Sequence, residues 1–133
     1  MATDSAAVRR WFDNYLETFA AAARGEQDLS TLLTRYAVPL LITTDDGVVP
    51  LTTTDQVASV IQGQVDGLRA QRYARTSALN IEVSVLNASS ALCRGSFVRE
   101  DVAGAELDRP VVTYLVADGA DGLQIAVLAS HTG

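Results

Sequence analysis

The sequence predicts an α+β fold in which helices come first and an antiparallel sheet follows. Two observations carry this. Up to about residue 70 the apolar residues recur mainly at helical spacing, interrupted by one short hairpin, and from Tyr73 onward the period changes to two. The strand-like segments after Tyr73 are separated by turns too short for a crossover helix, so consecutive strands should pair antiparallel. At 133 residues the chain suits one domain and is awkward for two. Residues 1–133 are therefore expected to form a single domain.

Val8, Trp11, Phe12, Tyr15, Leu16 and Phe19 lie on one face of a first helix, with Arg9, Arg10, Asp13, Asn14 and Glu17 on the other. Asp4 or Ser5 can cap its free amides, and Arg24-Gly25 closes it. Asp28 should cap a shorter helix carrying Leu29, Leu32, Leu33 and Tyr36. Pro39 cannot continue that helix and pushes Val38 towards an extended conformation. "PLLITT" and "VVPLTT" read as short strands around Asp45-Asp46-Gly47, a turn in which Gly tolerates positive φ and Asp bonds locally. Pro50 lacks an amide donor and so assigns the second strand to an edge. Thr53 and Gln56 have the spacing of a capping box, opening a third helix through Val57, Val60, Ile61, Val65 and Leu68. Gly63 and Gly67 weaken it by up to about 1 kcal/mol each relative to Ala, for close packing or simply by tolerance. "TSALNIEVSVL", "SALCRGSFVRE", "PVVTYLVAD" and "LQIAVLASH" are the four long strands.

Composition excludes several function classes. The charged fraction is 20% and the hydrophobic fraction 48%, as in ordinary globular chains. Formal net charge is −6 and all ten basic residues are Arg. An acidic surface repels phosphate backbones, so no nucleic-acid partner is expected. No apolar run approaches the ~20 residues that span a bilayer, and the N-terminal residues lack a signal-peptide pattern. No membrane association is expected, and the location expected is cytoplasmic. Cys93 is the single cysteine and cannot form an internal disulfide. One His, one Cys and no clustered carboxylates give no metal-ligand spacing, and no cofactor is expected.

The order of elements, with the aromatic stripe "VRRWFDNYLETF", the segment "YAVPLLITTDDG" and the terminal "PVVTYLVADGADGLQIAVLASH", resembles the NTF2-like superfamily. That group includes SnoaL-type cyclases, ketosteroid isomerases and limonene-epoxide-type hydrolases. The resemblance implies a cystatin-like α+β cone, with three N-terminal helices packed on a curved antiparallel sheet. It also implies a pocket at the wide end and a homodimer through the outer face of the sheet. Fold does not imply activity. An isomerase-like base would fall near Thr44, and threonine is not a usable base near neutral pH. The hydrogen-bonding acid of such a site would fall near Val112. Epoxide-hydrolase-like chemistry needs an Asp-Arg-Asp arrangement. Arg94 and Arg99 lie on strands, with no aspartate in the strand cores beside them.

The candidate pocket residues are Trp11, Tyr15, Tyr36, Thr43, Thr113 and His131. Tyr and Trp bring polar atoms that need partners when buried, and the Thr hydroxyls can serve a ligand. His131 shares alternation with Leu123, Ile125, Val127 and Ala129, which places it on the apolar face of the last strand. Asp45 and Asp46 read as turn residues, Cys93 as a buried hydrophobe and Arg94 as pointing outward. The expected function is binding of a small, largely apolar molecule in the cone. The alternatives are a SnoaL-like isomerase, cyclase or hydrolase acting on a polyketide- or steroid-like ring, or a structural homodimerisation module with a filled pocket.

Overall fold

The computed structural model describes residues 4–131. The elements run α1 (Ser5–Ala23), α2 (Leu29–Leu33), β1 (Tyr36–Thr44), β2 (Gly47–Leu51), α3 (Thr54–Ala70), β3 (Tyr73–Asn87), β4 (Ser90–Asp101), β5 (Glu106–Asp108), β6 (Val111–Gly119) and β7 (Gly122–Ser130). Asp4 caps α1 through a bond from the Ala7 amide, and Asp28 caps α2. Thr53 and Gln56 form the capping box of α3. Each satisfies amides that the first helical turn leaves free. Gly25 has φ +78° and Gly47 +135°, conformations in which a side chain would be strained. These two positions end α1 and open β2.

One seven-stranded sheet has the order β2-β1-β7-β6-β4-β3, with β5 attached to β4. It is not wholly antiparallel, because β1 lies parallel to β7. The two are far apart in sequence, so no tight turn dictates their direction. β2 is an edge strand, which suits Pro50. Tyr36 opens β1 rather than closing α2, and β5 occupies part of a segment that reads as a turn.

The helices cover one face of the sheet. Val8 and Phe12 of α1, Ile61 and Val65 of α3, and Leu32 of α2 meet Leu40, Val116 and Ile125 of the strands, all at most 1% exposed. Arg69, in the last turn of α3, donates two hydrogen bonds to the Ala22 carbonyl at 3.1 and 2.8 Å. The carbonyl also accepts from the Gly25 amide, so the Arg69 cation adds to that bond at the negative end of α1 and ties the two helix ends together. Among the described residues no helix is long and apolar enough to cross a membrane.

Two bulges decide which side chains face the helices. The β3–β4 register shifts between Ala78 and Asn80, and the β6–β7 register shifts between Leu115 and Val116. At the second shift Ala126 is the extra residue, and an extra residue reverses alternation beyond it. Ile125, Leu128 and Ser130 therefore face inward, opposite Val116, Tyr114 and Val112. Val127, Ala129 and His131 face outward. This corrects the sequence alternation, which grouped His131 with Ile125.

Candidate functional site

A cavity of about 430 Å³ lies between the C-terminal halves of α1 and α3 and the inner face of the sheet. Its apolar wall is made by Leu16, Phe19, Phe97, Val112 and Leu128, and Tyr15 and Tyr114 close one side. Gly63, Gln64 and Gly67 of α3 and its C-cap Gln71 line it and are exposed, so they form the rim. Polar lining comes from Thr76, Arg99, Asp108 and Ser130.

Gly63 and Gly67 stand four residues apart on one helix face. A Cβ built at either meets nothing within 4 Å. They are not sites of close packing, and their missing side chains widen the rim. Gly95 differs. A Cβ there would occupy the space of the Phe97 ring, and the glycine lets that ring lie across the strand as a flat piece of cavity wall.

The phenols form the floor. The Tyr15 and Tyr36 hydroxyls are 2.7 Å apart and buried. Tyr15 meets the rings of Tyr36 and Tyr114 edge-on, with centroids 5.8 Å away in both cases, and Phe12 meets Tyr114 at 5.1 Å. Burial is the largest cause raising the pKa of all three phenols above the ordinary tyrosine value; Tyr36 adds to the rise at Tyr15 and Tyr15 adds to it at Tyr114, whereas the hydrogen bond with Tyr15 opposes it at Tyr36. The nearby Arg99 opposes the rise at Tyr15 and Tyr114. All three thus stay protonated near neutral pH and can donate or accept hydrogen bonds. Burial also pushes the Cys93 thiol up to about 11, which keeps it unreactive.

Of the six residues singled out from sequence, the structure places Tyr15 in the cavity lining. Tyr36 sits behind Tyr15 as its hydrogen-bond partner. Trp11 stacks on Tyr15 at 5.9 Å, nearly parallel, packed against the core rather than lining the cavity. Thr43 pairs with Val48 and Ala129 on the outer face. Thr113 and His131 are also on that face, where the hydroxyl and Nε2 lie 2.6 Å apart. The bulge at Ala126 is the physical reason His131 is displaced from the cavity side. Arg94 is exposed and opposite Thr113. Thr44 is exposed at the hairpin end and accepts a bond from the Asp46 amide. It is no cavity base, and the Asp45-Asp46 turn does not line the cavity.

Sequence reasoning missed Asp108. The short β5 brings it opposite Arg99, so an aspartate does accompany that arginine, although no second aspartate lines the cavity among the described residues. It also missed Gln64, Gln71, Thr76 and Ser130. The spacing of Gly63 and Gly67 on one α3 face was the available signal for the rim.

Helices on one face of a mixed, antiparallel-dominated sheet, with a cavity between the layers, agree with the comparisons. Residues 4–133 match the family described as NTF2-like protein (DUF6841). The chain belongs to that NTF2-like family. No curated protein matches it. Among solved structures it is similar to a protein of unknown function with a cystatin-like fold from Nostoc punctiforme (TM-score 0.72, 11% identity, covering 98% of this chain and 93% of that one). It is also similar to the yeast UBP3-associated protein BRE5 (TM-score 0.69, 16% identity, covering 93% and 95%). A third is a candidate ketosteroid isomerase from Shewanella frigidimarina (TM-score 0.66, 13% identity, covering 89% and 92%). At these identities the likeness shows the NTF2-like cone fold and nothing of activity.

Proposed function

We propose that this NTF2-like domain binds a small, largely apolar molecule in the cone cavity. The carrying observation is the cavity itself: about 430 Å³, with apolar walls and a floor of buried phenols. Small-molecule sites combine concavity, an apolar lining and a few convergent polar groups in this way. The open space favours a ligand over a module whose pocket is filled by its own side chains. The SnoaL-like enzyme is the weaker reading. The phenols are held protonated, and the one lining carboxylate among the described residues, Asp108, is half exposed beside Arg99. A cytoplasmic location belongs to the proposal and is supported by the lone, buried Cys93.

A homodimer through the outer face is part of the same reading. Leu92, Leu115, Val127 and Leu41 pair in succession across β4, β6, β7 and β1, and among the described residues no helix covers this apolar row. Glu82 pairs with Arg94 in the row beside it, so the face offers both charges to a second copy. An uncovered apolar face of this kind supports an interface. Sedimentation should show a dimer that Leu115→Glu dissociates, and a monomer at all concentrations would refute this part.

Binding is tested with 2-naphthol by ligand-observed NMR. The domain should bind it, and Gly67→Leu, which fills the exposed rim without touching the core, should abolish binding while leaving the melting transition intact. Unchanged binding by Gly67→Leu would remove the cavity from the account.

A further inference from the structure

The cavity lining holds two charged side chains among the described residues, Arg99 of β4 and Asp108 of β5. They are cross-strand partners, yet Arg99 Nη1 lies 3.7 Å from Asp108 Oδ2, longer than the ~2.7–2.9 Å of a charge-assisted hydrogen bond. Asp108 is 50% exposed and Arg99 25%. So loose and wet a pair contributes little, and an incoming anion can displace the aspartate without stranding it away from water. The planar guanidinium carries five donors in a fork that matches a carboxylate. Its carbon stands 5.9 Å from the centre of the Phe19 ring, and that ring is itself cavity wall. Phe97, laid over Gly95, gives the same space a flat apolar wall.

We propose that the ligand is a monocarboxylate with a flat apolar body: Arg99 holds the carboxylate, and the body lies against Phe19, Phe97 and Leu128 above the phenol floor. The proposal rests on the binding function inferred above and names its ligand class. The influence of Arg99 on the Tyr15 and Tyr114 hydroxyls supports it, because cation and phenols then share one space. A monoanion fits better than a phosphate dianion. The lining offers one cation, Asp108 stands beside it, and the chain carries a net charge of −6, all of which penalise a second negative charge.

The test compares 2-naphthoate with its neutral isostere 2-naphthamide by calorimetric titration against the full chain, Arg99→Gln and Asp108→Asn. The full chain should bind naphthoate about tenfold or more tightly than naphthamide, the scale of a charged hydrogen bond. Arg99→Gln should erase that preference and keep the naphthamide affinity, which also reports that the variant is folded. Asp108→Asn should tighten naphthoate and leave naphthamide unchanged. Equal affinity of the full chain for both probes, or a preference that survives Arg99→Gln, overturns the carboxylate anchor and leaves cavity binding standing. If neither probe binds at millimolar concentration, both the anchor and the binding function fall.

Discussion

The two faces of the β4–β6–β7 sheet are built from the same alternating strands, yet they end in different chemistry. The inner face meets the helices and divides into a packed part and an open part. Phe12, Ile61, Val116 and Ile125 fill the packed part. Phe97, Val112, Leu128 and the Tyr15 and Tyr114 phenols surround the open part. The outer face carries an uninterrupted apolar row, with Arg94, Thr113 and His131 beside it, and no layer over it among the described residues. The strand pattern supplies apolar residues to both faces. What lies above them decides whether they become core, cavity or interface.

The sharpest way to break the contrast is to truncate the packed part. Phe12 is fully buried, so Phe12→Ala should cost about 3–5 kcal/mol in denaturant unfolding. A loss near that of a surface change would mean that α1 is not the keystone of the inner face. The phenol floor gives a pH signature found only on this side. The pKa of Tyr15, Tyr36 and Tyr114 is raised in the fold. Below about pH 10 the folded and unfolded chains both hold these protons. Above it the unfolded chain releases them first, so stability falls as pH rises, by up to ~1.4 kcal/mol per pH unit for each phenol. Melting curves and tyrosinate absorbance across this alkaline range should show unfolding and ionisation together. Formation of more than the single tyrosinate that Tyr73, outside the floor, can supply in the intact fold would contradict the buried floor.

Smaller changes sharpen the division. Tyr15→Phe leaves the buried Tyr36 hydroxyl without its partner at 2.7 Å and should cost about 1–2 kcal/mol. Equilibrium unfolding checks this, and a cost near zero would mean that water replaces the lost hydroxyl. Gly67→Ala should stabilise the domain by up to about 1 kcal/mol, since Ala suits a helix and the new Cβ meets nothing, while weakening ligand binding at the rim. Thermal melts paired with titration measure both effects. On the outer face, Thr113→Val removes the contact with His131, which is exposed. It should stay within about 0.5 kcal/mol in stability and leave ligand affinity unchanged by the same titration.

Local signals made much of the fold legible. The caps at Asp4, Asp28 and Thr53, the turn at Asp45-Asp46 and the edge position implied by Pro50 each follow from one residue's chemistry. Three features did not. The parallel β1–β7 pairing joins segments far apart in sequence. β5 is three residues long, too short for a period to register, and with it Asp108 stayed hidden from Arg99. The bulge at Ala126 has no marker residue, and it turns His131 to the outer face. Tyr15 was recognised as a polar group needing a partner, but whether that partner was water, ligand or another phenol depended on Tyr36, 21 residues away.

We propose that the open part of the inner face is the ligand site and the outer face is not. Amide chemical-shift mapping of the isotope-labelled domain with 2-naphthoate tests it most directly. The amides of Phe19, Gly63, Gly67, Arg99 and Val112 should move on titration, while those of Thr43, Leu115 and His131 stay in place. Movement confined to the outer-face residues, with Gly63, Gly67 and Arg99 unshifted, would contradict it.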